Sequence, residues 1–467
     1  MRDHPAPTGE FRALGPTELI FSTTDARGVI TAANGAFCRI AAHEQRDLLG
    51  APHNVIRHPA MPGGAFRAMW DTLQSGRPFA AYVQNLAGDG VAYWVYATVT
   101  PLGDGYLSVR IAPGAESTWG AAAGAYTEML EVERGARLAG ASAVAAAEAG
   151  RDHLAHLLAG LGFADHDEFM YTVMPTEVLA LVERRRWRAD PAAVGGPAGD
   201  VLSACLMVTV ELEELLQRLD GLRHLAERLQ SVERDALGAV AALAEVTHLA
   251  SQASATVSDT APVLTSTAGA MSTLGDEVGV MMTALAPALA AARRSVLRVR
   301  FLIALARLHT DMVVDVAQEV GRGEPEVGPQ HLAQLSATLR GDLTGATVEL
   351  AAAARVLRTV GADLEAAHDR LRRTDRFLAT WRVQVPRYQV SRQLAPYVSP
   401  IDGRLRMSHE QLGAMRELAQ ECEREARPFD DTALRGLVDA IACAAEGLLA
   451  PWTAGTVGTA GTTGGLR

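Results

Sequence analysis

The chain contains no lysine; all 43 of its basic residues are arginine. A P-loop needs lysine on the phosphates, a protein kinase needs one to hold its nucleotide, and a pyridoxal enzyme needs one for the Schiff base. Composition excludes those three classes. Aromatic residues are scarce, at 5% of the chain. Cysteine is limited to Cys38, Cys205, Cys422 and Cys443, far apart and without a CxxC pair, which is the pattern of reduced thiols. The polar start Met1-Arg-Asp-His-Pro5 lacks the apolar core of a signal peptide, so the expectation is a cytoplasmic protein. No uninterrupted apolar run reaches the ~20 residues that cross a bilayer. The nearest, Val278 to Ala292, contains Pro287, ends on Arg293-Arg294 and reads as a buried helix. A net charge of −11 argues against nucleic acid as a partner, because phosphate neutralisation needs a basic face. The local basic clusters, Arg184 to Arg188 and Arg293, Arg294, Arg298 and Arg300, read as solvated helix faces.

The most informative stretch present is Pro52 to Pro62, Pro-His-Asn-Val-Ile-Arg-His-Pro-Ala-Met-Pro. Proline fixes φ and removes backbone donors, so this segment reads as a semi-rigid loop that presents side chains, the usual build of a ligand lid. It lies between two groups of candidate strands. Glu18 to Asp25 and Val29 to Ala33 form a hairpin by spacing around Asp25-Ala-Arg-Gly28, and Asn34 caps a short helix through Ile40. After the loop, Ala65 to Leu73 has helical spacing, and Phe79 to Asn85, Val91 to Thr100 and Tyr106 to Ile111 read as three more strands.

Two strands, short helices, a longer helix and three strands, in that order, resemble a PAS sensor domain. Phe21-Ser-Thr-Thr-Asp25, Asn34-Gly-Ala-Phe37, His53-Asn-Val-Ile-Arg-His-Pro59, Met61-Pro62, Phe66, Met69-Trp70 and Tyr93-Trp94-Val95 are similar to the PAS domain of the bacterial aerotaxis receptor family. The resemblance covers the first quarter of the chain. It implies non-covalent FAD and redox sensing, with Asn34, Arg57, His58, Phe79, Asn85 and Trp70 as cofactor-binding positions. Ala60 stands where the family tends to have an acid, and Phe79 where it tends to have tryptophan. The residues themselves suit that assignment. Phe79, Ala81, Val83 and Asn85 share one strand face, and Arg57 offers a fork of donors to a pyrophosphate or an anionic ring, with His58 beside it. Haem through His53 or His58, or an empty domain, are the alternatives.

Beyond Pro113 the chain reads as mostly helical. Gly114 to Ala122 is a connector, Tyr126 to Leu161 one helix, and the stretch with Pro175, Pro191 and Gly195-Gly196-Pro197 irregular. Leu212, Leu215, Leu219, Leu222, Ala226 and Leu229, continued by Ala236, Val240 and Leu243, recur three and four residues apart, the seam of a coiled coil or a long bundle helix. Val296 to Val320 reads as a helix covered on more than one side, with His309 a satisfied or partly exposed histidine in preference to a phosphoacceptor. Further helices are expected from His331 to Trp381, Ser408 to Arg427 and Asp431 to Leu449, before a disordered Thr453–Arg467 tail.

The expected fold is α+β: a PAS domain with an antiparallel five-stranded sheet and flanking helices, then long bundle or coiled-coil helices. Boundaries fall at a flexible 1–16, the sensor at 17–113, a helical connector at 114–200, a bundle at 201–450 and a tail at 451–467. The expected function is a soluble, non-enzymatic redox or small-ligand sensor. Its partners are expected to be a second copy of the chain and an unidentified signalling protein, with chemotaxis machinery one candidate, and no nucleic acid and no membrane span. A ligand-free PAS dimerisation scaffold and a flavin oxidoreductase are the alternatives.

Overall fold

The computed structural model describes residues 5–185, 194–324, 326–427 and 432–456. The N-terminal domain runs β1 (Ile20–Asp25), β2 (Ile30–Ala33), α1 (Gly35–Ala41), α2 (Gln45–Leu48), a 3-10 turn (His53–Ile56), α3 (Gly63–Gln74), β3 (Phe79–Leu86), β4 (Ala92–Leu102) and β5 (Gly105–Ile111). Its five strands form one sheet in the order β2-β1-β5-β4-β3, antiparallel throughout. The hairpin between β1 and β2 closes on Asp25 Oδ1, which accepts from the amides of Arg27 and Val29, and on Gly28 at φ +78°, a conformation that costs a side-chain-bearing residue.

Side chains alternate across each strand. On the inner face of β5 lie Tyr106, Ser108 and Arg110; Leu107, Val109 and Ile111 point the other way and are fully buried. Burial on both faces follows from the helices that come next. The outer face is covered by α4 (Glu116–Leu138) and α6 (His166–Arg184), with Trp94 stacked on Tyr126 and the Tyr126 hydroxyl donating to Tyr82 O at 2.8 Å. Glu177 of α6 is fully buried and accepts from the Tyr82 hydroxyl at 2.6 Å and from the amides of Gly114 and Ala115 at 2.5 and 2.9 Å. It thereby fixes the backbone leaving β5. Between them α5 (Ala143–Gly160) packs against α3 so closely that a Cβ on Gly64 would lie 2.4 Å from Arg151 N.

Three expectations are corrected in this region. The Tyr126–Leu161 helix is two, separated where Gly140 takes φ +92° and Ser142 caps α5 by accepting from Ala145 N. The connector from Gly114 is helical from Glu116. The irregular stretch contains α6, which runs through Pro175; that proline removes one helical hydrogen bond at a cost of ~3 kcal/mol, offset by burial of Met170, Val173, Met174 and Val178.

Long helices complete the chain: α7 (Gly196–Ala255), α8 (Pro262–Arg322), α9 (Pro329–Arg387), α10 (Ser391–Glu425) and α11 (Thr432–Thr456). Leu212, Leu215, Leu222, Ala226, Leu229 and Leu243 are buried as their spacing demands; Leu219, Ala236 and Val240 lie outside the residues whose side chains are described. The helix beginning at Ser391 is longer than expected despite Pro396 and Pro400. Of the expected disordered tail, Thr453 to Thr456 belong to α11 and the rest lies outside the described residues.

The chain divides into two compact units, one of Met1–Leu216, Arg300–Thr347 and Asp430–Arg467 and one of Gln217–Val299 and Val348–Phe429. In the first, every residue of α8 from 303 to 314 is buried, including an Arg307–Asp311 pair at 3.2 Å and His309, whose Nδ1 meets Asp342 at 2.5 Å. His309 is a core histidine paired through Nδ1, while its buried Nε2 has no hydrogen-bond partner. In the second, Val246, Leu264, Met271, Leu378, Val385 and Leu394 share a core, within which Trp381 donates its indole hydrogen to Ser254 Oγ at 2.8 Å.

Two composition-based expectations are also corrected. Arg185 pairs with Asp315 and Arg300 is buried, so neither belongs to a solvated face; Arg186 to Arg188 lie outside the described residues. The apolar stretch of α8 is buried along one stripe only, Val278, Met282, Leu285 and Leu289, while Val280 is 75% exposed. Among the described residues, α8 is the one helix long and apolar enough to cross a membrane.

Candidate ligand site

Between the inner face of the sheet, the 3-10 turn and α3 lies a cavity of about 320 Å³, at the small end of the ~300–1,000 Å³ typical of ligand pockets. The β1–β2 turn contributes Gly28 and Arg27 at the lip, and the proline-bounded loop contributes Pro52, His53, Asn54 and Arg57. Helix α3 supplies Phe66, Met69 and Trp70, and the strands supply Val83, Asn85, Ala97, Val99, Tyr106 and Arg110. Trp70 and Tyr106 meet edge to face at 5.4 Å and form an aromatic wall. The loop is held to the sheet by single bridges from Val29 to Pro52 and from Arg57 to Asn85, so it pairs where the sequence reading left it unpaired.

The cavity is cationic. Its lining contains Arg27, Arg57 and Arg110 and neither aspartate nor glutamate. Arg27 is engaged outside, with Asp25. Arg57 donates to Met61 O at 2.8 Å and lies 4.3 Å over the Phe66 ring; desolvation lowers its pKa from the usual value, and Glu133 acts against that shift. Arg110 is different. It is 4% exposed, donates through Nη2 to Ser22 Oγ at 3.1 Å and to His53 Nε2, and sits 5.0 Å over the Phe37 ring, while its Nη1 has no hydrogen-bond partner. Burial pushes its pKa down to about 10, still charged at neutral pH. Because guanidinium only donates, the His53 Nε2 facing it must carry a lone pair, and burial together with Arg110 holds the His53 pKa well below the ordinary histidine value. A second open donor is Asn85 Nδ2, on a side chain 3% exposed. Buried polar groups are rarely left unpaired, and both of these belong to residues that line the same cavity.

Residues 30–108 match the model of the PAS fold. The N-terminal region is a PAS domain. The aerotaxis receptor of Escherichia coli (strain K12) is 38% identical over 115 residues, 24% of this chain and 23% of that protein. The nitrogen fixation regulatory protein of Klebsiella pneumoniae is 33% identical over 92 residues, 20% of this chain and 19% of that protein, and its counterpart in Klebsiella oxytoca is 30% identical over the same length. The chain thus spans about a quarter or less of the length of these relatives, all of it in the PAS region, with a mostly helical remainder outside the match.

Of the residues singled out from sequence, Arg57, Trp70 and Asn85 line the PAS cavity and Asn34, His58 and Phe79 do not. Asn34 caps α1: its Oδ1 accepts from Phe37 N and Phe21 N, and its Nδ2 donates to Leu19 O at 3.1 Å. His58 Nδ1 accepts from Ala60 N within the loop. Phe79 packs under the aromatic wall with Leu73 and Ala81, its ring stacked on His166 of α6 at 4.7 Å. With His53 Nε2 committed to Arg110 and His58 outside the lining, the arrangement does not favour axial ligation of a haem. The sequence did not single out Arg110, Asn54 and Tyr106 as lining residues, and it offered His53 only as a haem ligand. Alternation along β5 was the available signal for two of them, since Tyr106, Ser108 and Arg110 share a face by period two. Asparagine was a signal for another: the chain has three, Asn34, Asn54 and Asn85, all in the PAS domain.

Proposed function

We propose that the chain is a signal-transduction sensor whose PAS cavity takes FAD, with the ring between the Trp70–Tyr106 wall and the β3–β5 face, and Asn85, Arg57 and Arg110 donating to its polar edges. The observation that carries this reading is the pair of buried, unpartnered donors, Asn85 Nδ2 and Arg110 Nη1, on two residues that line one aromatic-walled cavity. The resemblance of the region to an aerotaxis receptor supports the choice of ligand. Bound flavin supplies reversible electron uptake; the protein supplies donors, burial and a route outward.

That route is short. Phe37 of α1 stacks on His53 at 6.0 Å and under Arg110, so a shift in either is felt by α1. At the start of α1, Asn34 lies beside Glu319 of α8 and helps to hold its carboxyl pKa down against burial; from α2, Gln45 donates to Glu326 O at 2.6 Å; and from β1, Phe21 meets His331 of α9 edge-on. The cavity state is read out as a change in the packing of residues 300–347 and from there as altered affinity for a second signalling protein. The chain works in the cytoplasm, as a homodimer paired through its long helices, because the outer face of the PAS sheet is covered within the chain. The test is limited proteolysis of the full chain with FAD under oxidising and reducing conditions. Redox-dependent protection between residues 300 and 347 is expected; identical patterns count against signalling through this route.

A further inference from the structure

Arg110 is the feature of the cavity that stability alone does not account for. A buried guanidinium without a carboxylate partner is expensive, and here its contacts are a hydroxyl, an imidazole lone pair and a ring face, with Nη1 open. Arg57 differs: it is less deeply buried, donates through Nη2 to Met61 O and lies over Phe66. No acid lines the cavity to neutralise either.

We propose that Arg110 is the charge-reading residue of the site: Nη1 docks the ionisable imide edge of a flavin-type ring, and the site therefore favours the form of the ligand that carries a negative charge there. The proposal rests on the reading above that the cavity takes a flavin. His53 cooperates by staying neutral, presenting its lone pair to Nη2 and leaving the positive charge on Arg110. When a low-potential donor such as dithionite delivers two electrons, Arg110 holds the resulting anion, so one proton accompanies the two electrons even on the acid side of the free reduced ring's own ionisation, where an uncharged site would take up two. The balance is ring plus two electrons plus one proton giving the reduced anion, with no further co-reactant.

This has a readout independent of signalling. For a two-electron couple, one proton moves the midpoint potential by about 30 mV per pH unit and two protons by about 59 mV. Redox titration of the full-length protein with FAD, followed by visible absorption at pH values on the acid side of the free reduced ring's own ionisation, is expected to give the shallower slope. Arg110→Met, similar in bulk and uncharged, is expected to bind FAD more weakly and, when saturated with excess FAD, to steepen the slope towards 59 mV, with Arg110→Gln as the second variant should the first fail to fold. A steep slope in the unaltered chain overturns the proposal while leaving flavin binding intact, as does a shallow slope that persists without Arg110. A chain that takes up no flavin removes the underlying reading and the proposal with it, and is distinguishable because no bound chromophore is seen at all.

Discussion

The Tyr82 hydroxyl donates to Glu177 at 2.6 Å across the outer face of the PAS sheet, and the same carboxylate receives the two amides that follow β5. One buried side chain thus joins the sheet, its exit strand and α6. Tyr82→Phe removes one donor and is expected to lower stability by about 1–2 kcal/mol, whereas Glu177→Ala strands three donors and is expected to cost about 3 kcal/mol or more. Denaturant melts followed by tryptophan fluorescence check the order; equal losses would mean that the carboxylate is not the hub.

Asn34 is a cap and a tie to β1, and its side chain is outside the cavity. Asn34→Ala is expected to cost about 1–2 kcal/mol of stability with FAD affinity changed less than about twofold, ~0.4 kcal/mol. Fluorescence titration with FAD decides it. A tenfold or greater loss of affinity in a folded variant would return Asn34 to the ligand site.

Gly28 occupies the left-handed region at the cavity lip, and a Cβ there would stand 3.4 Å from the Trp70 ring. Gly28→Val is expected to strain the turn by about 1–2 kcal/mol and to weaken FAD binding by about tenfold or more, ~1.4 kcal/mol. Unchanged affinity would show that ligands enter elsewhere.

Acid should loosen the α6 contact with the sheet. Burial pulls the His166 pKa down to about 4, so the folded state disfavours the proton that the unfolded chain takes up below ~6.5. The contribution is present above that value and is lost as pH falls towards 4, up to ~2 kcal/mol allowing for partial exposure of the ring. Glu319, raised to about 7 mainly by burial, acts oppositely, gaining stability as pH falls from 7 to its unfolded value. Comparing pH–stability curves of the unaltered chain and His166→Phe isolates the first effect. Between pH 6.5 and 4 the stability of the unaltered chain should fall relative to that of the variant, which keeps the opposing Glu319 slope, and parallel curves would contradict the assignment.

The PAS strands were legible because each alternates apolar residues between recognisable turns, and Asn34 was legible as a cap because an asparagine before an apolar turn has one common use. Its role stopped there: being conspicuous at a helix start is not the same as facing a cavity. Arg110 escaped because a charged residue near the end of an apolar strand reads as an edge, and its burial depends on β1 and the loop closing over it. In the helical part, Gly140-Ala-Ser142 carried a C-cap and an N-cap in three residues, so the break between α4 and α5 was there to be read. The run of α6 through Pro175 was not, since its support comes from sheet residues such as Ala80, whose amide donates to Met170 Sδ at 3.0 Å, nearly a hundred residues away in the chain. Long-range packing of that kind outweighs local propensity and leaves no local mark.

The visible absorption spectrum of the full-length protein, taken after incubation with FAD and removal of free ligand, tests the central claim most directly. Flavin bands at one equivalent per chain are expected, with fluorescence altered by the Trp70–Tyr106 wall. A protein that emerges colourless from that treatment, although folded, would contradict the account.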